Sequence, residues 1–286
     1  MDHMNRDHIG SHEELPFPLS RVPTTDTVHL GKRSHHIPVL LEVDVTEARA
    51  ALQRLKDRSG RSVSFTGWAI VCLARAVADH PRVQARRRGR RKLVLFDEVD
   101  VALAVYRQVV GDESGERVPM PLVIRRANEK DVGQISDEIQ TAQTMPLAPG
   151  QQWLDPDAKP PSARLTHLFY RMPRFLRVWT VWHPMLRNPY RAKRLTGTVM
   201  VTSVAMFGKT SAWAIPVGIH PLALGLGGIA RKPGLVRDRV EPRDMLSLTI
   251  VFDHDVADGV PVALFVKRLV KLMESAYALG EENTCS

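Results

Sequence analysis

MLSLTIVFDHDVADGVPVALFVKRLVKLMESAYAL, residues 245–279, decides how the chain folds. Leu246, Leu248, Ile250 and Phe252 alternate with Ser247, Thr249 and Val251, the period of two that gives a strand one apolar face. Past Asp258-Gly259 the period changes. Val262, Phe265, Val266, Leu269, Met273 and Ala276 recur at helical spacing and predict an amphipathic helix of several turns. His254 stands at the end of the strand, with Gly259 easing the turn into the helix. A histidine held there sits rigidly beside any cleft at that end, and an imidazole exchanges protons near neutrality. An ordinary strand-to-helix turn that carries a His and an Asp gives the same local pattern.

The 286 residues suffice for one large domain or two small ones, and 44% hydrophobic with 25% charged residues is ordinary for a protein with a sizeable core. Cys72 lies in an apolar helical run and Cys285 in the tail, so no disulfide framework is expected and a reducing compartment fits. No apolar run reaches the length of a membrane span, and the N-terminus lacks the apolar core of a signal peptide. A soluble cytoplasmic protein is expected. His3, His8 and His12 are not at metal-ligand spacing, and no metal site is expected.

The net charge of +9 is uneven. Residues 158–196 hold nine Lys or Arg and no acid, which equals the whole excess. A second basic knot, RRRGRRK at 86–92, reads best as a solvated hairpin. Basic clusters of this kind suit nucleic acid, anionic lipid or the phosphates of coenzyme A.

In chain order, residues 1–20 read as a loose polar tail. A strand is predicted over 37–45, then a helix carrying Ala48, Ala51, Leu52 and Leu55 on one face. A second apolar helix starts at Thr66 and ends at His80-Pro81. Strands follow at 92–96, 99–106 and 122–124, then a helix from Asp131 that buries Val132, Ile135 and Ile139.

The motif His254-x-x-x-Asp258-Gly259 resembles the active-site motif of chloramphenicol acetyltransferases and of the catalytic (E2) domains of 2-oxoacid dehydrogenase acyltransferases. The likeness spreads through HHIPVLLEVDVTEARAALQRLK (35–56), FTGWAIVCLARAVADHPRVQAR (65–86), VDVALAVYRQ (99–108) and VPMPLVIRRANEKDVGQISDEI (118–139). It continues in GTVMVTSVAMFG (197–208) and in HPLALGLG (220–227), which stands where the family has an Asn-Pro-Pro segment. It runs from about residue 21 to 278.

The resemblance implies a chloramphenicol-acetyltransferase-like mixed-sheet α/β sandwich, a catalytic domain over 21–279 between tails at 1–20 and 280–286. It implies a trimer with each active site between neighbouring subunits, and acyl transfer between coenzyme A, with acyl-CoA as substrate, and a thiol or hydroxyl acceptor. By the same resemblance His254 is the general base, and Thr202 supplies the hydroxyl that hydrogen-bonds the oxyanion. Ser203 would then point to the other face of the strand. Asp258 and Gly259 are structural at the site, with Arg21 as the expected partner of Asp258. Asp255 departs from the family, which usually has Arg after the histidine.

E2 chains carry a lipoyl domain and a subunit-binding domain, and with about twenty residues ahead of Arg21 neither is expected here. The expected acceptor is therefore external, a lipoyl or other carrier protein among the candidates. A basic, aromatic insert over 149–196 replaces a short connection of the family. Trp153, Phe169, Tyr170, Phe175, Trp179, Trp182 and Tyr190 interleave there with arginines. Leu165, Leu168, Phe169 and Met172 fit one helical stripe, and Phe175, Val178, Trp179 and Trp182 another. The insert reads as helices packed on the trimer, as a lid over a bulky acyl chain, or as a contact with an anionic membrane surface through 162–194. Nucleic acid is not expected as a partner. A non-catalytic trimeric scaffold for partner proteins or a membrane is the alternative to an enzyme.

Overall fold

The computed structural model describes residues 10, 12–14, 17, 21–60, 63–108, 117–144, 163–204 and 210–280. Most of the 1–20 tail, residues 149–162 with Trp153, residues 205–208, and the end of the chain with Cys285 lie outside the described residues. In chain order the helices are α1 (Val22–Gly31), α2 (Thr46–Ser59), α3 (Phe65–Asp79), α4 (Val132–Thr144), α5 (Ala163–Arg171), α6 (Arg174–Arg177), α7 (His183–Arg187), α8 (Pro189–Thr196) and α9 (Gly259–Glu274). The strands are β1 (His36–Asp44), β2 (Arg86–Arg88), β3 (Lys92–Val94), β4 (Val101–Gln108), β5 (Arg117–Ile124), β6 (Val199–Ser203), β7 (Leu222–Val236) and β8 (Arg239–Asp253).

Six strands form one mixed sheet in the order β1-β8-β7-β6-β4-β5, and β2 and β3 make a separate hairpin. The parallel pairs are β4 with β6 and β6 with β7; the others are antiparallel. Alternation divides the sheet into two faces. Val199 and Val201, Leu222 and Leu224, Leu248 and Ile250 point into the core with α2, α3, α4 and α9. Helix α3 is apolar almost all round (WAIVCLA) and is accordingly enclosed, with Trp68, Ile70 and Leu73 fully buried. Its Cys72 is buried too, which raises the thiol pKa and leaves it inert.

The other face is crossed by an extended strap, residues 210–217. The strap lies so close to β7 that a Cβ at Gly225 would come within 2.5 Å of the Ala214 carbonyl oxygen, and one at Gly227 within 2.1 Å of that of Ala212. Only glycine admits backbone at that range, and the segment LGLGG supplies it. Strand β8 begins at Arg239, ahead of the 245 read from alternation, because 239–243 continue a hairpin with β7 that is polar and exposed. Its two-residue turn, Arg237-Asp238, has positive φ at both positions.

Helix α1 has no counterpart in the pattern reading. Its sequence VPTTDTVHLG lacks an apolar stripe, and it is held by Asp26 and by Gly31, where a Cβ would meet the Gly218 carbonyl oxygen at 2.3 Å. The 86–92 hairpin forms as read, with one correction. Arg86 is buried, its Nη atoms 3.4 Å from the carbonyl oxygens of Ile219 and Gly197. Burial lowers its pKa to about 10 against the attraction of Asp253, so it remains a cation.

Candidate active site

The histidine turn is built by backbone hydrogen bonds. The amide of Asp253 donates to the Pro221 carbonyl at 2.8 Å and that of His254 to the His35 carbonyl at 3.0 Å. The amides of Val256 and Ala257 both return to the Asp253 carbonyl at 3.1 Å. Asp258 follows in extended conformation and N-caps α9 without a side-chain bond. His254 is exposed, beyond the last residue of β8. Asp255 ties the turn sideways, to His35 Nδ1 at 3.0 Å and to Arg87 Nη1 at 3.5 Å.

Two expectations need correction here. Gly259 has φ outside the left-handed region and open space where a Cβ would stand, so the turn does not require glycine within one chain. The bonds to Asp253 make the turn, and Asp258 in ordinary extended backbone leads into the helix. Nor do Arg21 and Asp258 pair within the chain: both are exposed, and no hydrogen bond or ion pair joins them. Arg21 opens α1 at its solvent end, while the acid that α1 turns inward is Asp26.

Thr202 lies on the strap side of the sheet. With Met200, Ala102 and Ala104 it lines a mainly apolar cavity of about 480 Å³, walled by Ile215 and Pro216 of the strap and by Thr24 and Thr27 of α1. Ser203 turns the other way, its Oγ 3.5 Å from Thr66 Oγ1 on α3.

Sheet register separates Thr202 from His254. Thr202 pairs with Gly225, and Gly225 with Thr249. His254 is five residues further along β8 and two strands across, which puts about 17 Å along the strands and about 10 Å between them. The two side chains belong to opposite ends of β6 and cannot meet on one substrate atom within a single chain.

His220 also lines the cavity. Its Nε2–H donates to the Thr196 carbonyl at 2.7 Å, so the bare Nδ1 is the atom left without a partner. Burial, reinforced by the nearby Arg86, pushes its pKa down to about 3 and keeps the ring neutral.

The insert divides in a way that helical periodicity did not foretell. Phe175 and Trp179 are 70% and 73% exposed, whereas Trp182 is 3% exposed and lines the cavity. The cause is the π-turn Val178–Trp182 between α6 and α7, whose wider spacing breaks the expected stripe. Leu165 and Leu168 of α5 are exposed as well, while Phe169 and Met172 of the same stripe are half-buried, Phe169 beneath the Arg177 guanidinium. Trp182 Nε1–H donates to Asp26 Oδ2 at 3.1 Å, and Arg177 grips the same carboxylate. Asp26 was missed in the sequence, and the lid reading of the insert did not separate Trp182 from Trp179. The available signal was the run 158–196, with nine cations and no acid, which needs acids supplied from elsewhere. Lys193 takes Glu98 and Asp100 in the same way, at 2.6 and 3.1 Å. Among the described residues no helix is long and apolar enough to cross a membrane.

This architecture is that of dihydrolipoamide acyltransferase cores. The dihydrolipoamide acetyltransferase of Azotobacter vinelandii superposes with a TM-score of 0.67 at 18% identity, over 94% of each chain. The truncated catalytic core of the 2-oxoacid dehydrogenase multienzyme complex from Thermoplasma acidophilum does so at 0.60 and 20%, over 93% of this chain and 99% of that one. The family described as 2-oxoacid dehydrogenases acyltransferase (catalytic domain) matches residues 12–146 and 190–280, and the chain belongs to that family. In sequence it is 22% identical to the lipoamide acyltransferase component of the Bacillus subtilis branched-chain alpha-keto acid dehydrogenase complex, over 91% of this chain and 52% of the relative. It is also 22% identical to a dihydrolipoyllysine-residue succinyltransferase of Staphylococcus saprophyticus, over 82% and 46%. The chain thus spans about half the length of the curated relatives it matches. Residues 147–189 lie between the two matched stretches.

Proposed function

We propose that the protein transfers an acyl group between coenzyme A and a thiol or hydroxyl acceptor, in a site completed by two copies of the chain. His254 of one copy acts as general base and Thr202 of a neighbour holds the oxyanion. The observation that carries this reading is a spacing. In the Azotobacter enzyme a serine, a histidine 52 residues later and an asparagine four beyond have roles in the catalytic mechanism. Thr202, His254 and Asp258 stand at the same intervals. Aspartate in place of asparagine at the last position is a difference in charge, and Asp255 adds a second acid beside the base.

The chemistry follows from the groups. The imidazole takes the proton of the acceptor thiol, and the sulfur forms a bond to the thioester carbonyl carbon. The carbonyl oxygen becomes an oxyanion, to which the Thr202 hydroxyl donates. Collapse breaks the carbon–sulfur bond to coenzyme A, whose thiolate recovers the proton from the imidazolium. A preorganised donor at the oxyanion is worth roughly 3 kcal/mol, and base catalysis about a hundredfold or more.

The two-copy site rests on the opposite placement of Thr202 and His254 along the sheet. A homotrimer, or a larger assembly of trimers, would supply the second copy. One structure of this fold comes from the cubic core of the pyruvate dehydrogenase multienzyme complex. A dihydrolipoyl thiol on a carrier protein is the acceptor to test first, since curated relatives are lipoamide acyltransferases.

The test is thioester turnover with free dihydrolipoamide. His254→Ala should lose at least about a hundredfold in rate, with an unchanged melting temperature because the side chain is exposed. Thr202→Ala should lose about a hundred- to a thousandfold in kcat with little change in KM for acyl-CoA. Full activity in both variants would overturn the reading.

A specific observation favours a second role for the insert. Leu165, Leu168, Phe175 and Trp179 are exposed, as are Arg164, Arg171 and Arg174, and exposed apolar and basic side chains within one short stretch suit an anionic membrane surface. Co-sedimentation with phosphatidylserine vesicles that fades as salt screens the charges would support it, and no binding at low salt would exclude it.

A further inference from the structure

We infer that Trp182 sets the size limit of the acyl group that this protein accepts, and that this group is an apolar chain larger than acetyl. The inference rests on the acyl-transfer reading and deepens it.

Trp182 is not one more aromatic of a basic insert. It is 3% exposed, while Trp179, three residues away in the same π-turn, is 73% exposed. It comes from residues 147–189, which lie between the stretches matched to the family, yet it lines the same cavity as Thr202. The wall it forms therefore comes from outside the stretches matched to the family.

The ring is also fixed, as a size limit requires. Its Nε1–H donates to Asp26 Oδ2 at 3.1 Å, inside a carboxylate already held by Arg177 Nε at 2.8 Å and Nη2 at 2.9 Å. Arg177 Nη1 donates in addition to the Met172 carbonyl. Asp26 sits in α1, whose Thr24 and Thr27 face the cavity, so a single buried carboxylate positions two of the walls. Opposite them the sheet offers Ala102 and Ala104, small side chains that leave depth.

The volume, about 480 Å³, is within the range of about 300–1,000 Å³ that holds ligands far larger than an acetyl group. The lining is mainly apolar, and each methylene buried there should tighten binding about fourfold. Affinity should climb with chain length and stop where the chain meets the Trp182 ring.

The experiment is a chain-length series on the full protein. Turnover of acetyl-, butyryl-, hexanoyl-, octanoyl- and decanoyl-CoA is measured, and binding of the matching non-hydrolysable thioether analogues is followed by calorimetry. Wild type should gain about fourfold per methylene and then reach a ceiling. Trp182→Ala should move the ceiling to longer chains, Trp182→Leu should move it less, and Trp179→Ala should leave it where wild type has it. If Trp182→Ala does not fold, Trp182→Leu and Trp182→Phe carry the comparison.

A flat wild-type profile, or a ceiling unmoved in every folded Trp182 variant, overturns the inference. A ceiling that moves equally in Trp179→Ala overturns it as well. Absence of turnover in wild type with every thioester counts against acyl transfer. The calorimetric ceiling still reads Trp182 in that case, so the two failures are distinguishable.

Discussion

Asp26 and Arg177 meet in the interior through two parallel hydrogen bonds, Nε to Oδ2 at 2.8 Å and Nη2 to Oδ1 at 2.9 Å. The carboxylate is fully buried and the guanidinium nearly so, which makes the pair costly to break and ties the insert to α1. Arg177→Met or Asp26→Leu alone strands a buried charge and should cost roughly 3–5 kcal/mol in chemical denaturation. The double variant should cost much less than the sum of the two. Additive losses would mean that the two charges are not each other's main partner.

The strap makes a sharper prediction about two glycines of one chain. A Cβ at Gly227 would lie 2.1 Å from the Ala212 carbonyl oxygen and 2.7 Å from that of Ser247. Both are backbone atoms with nowhere to go. Gly227→Ala should destabilise by about 1–3 kcal/mol or more, through displacement of the strap. Gly259→Ala meets nothing within 4 Å and should be neutral or stabilise by up to about 1 kcal/mol. Thermal denaturation of the two variants side by side checks the contrast.

What was legible in the sequence follows from which forces are local. Residues 246–252 and the stripe Val262, Phe265, Leu269, Met273 form the buried strand β8 and the buried face of α9, because periodicity records a partition between water and core. Helix α1 was invisible to that method, since a carboxylate pair and a glycine contact hold it where an apolar face would otherwise serve. The expected Arg21–Asp258 pair came from resemblance. It gave way because charges pair by position in space, and Asp26 is the acid that faces an arginine. Trp179 and Trp182 could not be told apart by spacing, because a π-turn has no signature in the apolar pattern. The spacing of Thr202 and His254 was legible, but their placement at opposite ends of β6 emerges only from the register of three strands.

His220 predicts an acid-sensitive fold. Its folded pKa of about 3 is below the unfolded value of about 6.5, because burial and Arg86 oppose the charge. Between those values the unfolded chain binds a proton that the folded chain refuses, so stability falls as pH falls. The contribution is complete above about pH 6.5 and is lost progressively toward pH 3, at up to about 1.4 kcal/mol per pH unit. Urea midpoints measured from pH 7 down to about pH 4.5 cover most of this window before the carboxylates titrate. His220→Gln, which can still donate to the Thr196 carbonyl, should flatten the slope. An equal slope in wild type and variant would show that another group carries the dependence.

The register of β6, β7 and β8 leads to a test by mixing inactive proteins. If each site takes His254 from one copy and Thr202 from its neighbour, a subunit with either change still carries the other group intact. His254→Ala and Thr202→Ala homo-oligomers should each be nearly inactive. Unfolded together and refolded at equal ratio, they form interfaces of four kinds, and one kind unites an intact histidine with an intact threonine. Random assortment then restores about a quarter of wild-type activity, since a closed ring gives every subunit two different neighbours. The double variant His254→Ala/Thr202→Ala refolded with wild type supplies the control. There too about a quarter of the interfaces are intact, so the two mixtures should match. If His254 and Thr202 served the same copy, the first mixture would stay inactive while the second kept about half of its activity. That outcome would move the site back into one chain, against the distance that the strand register imposes.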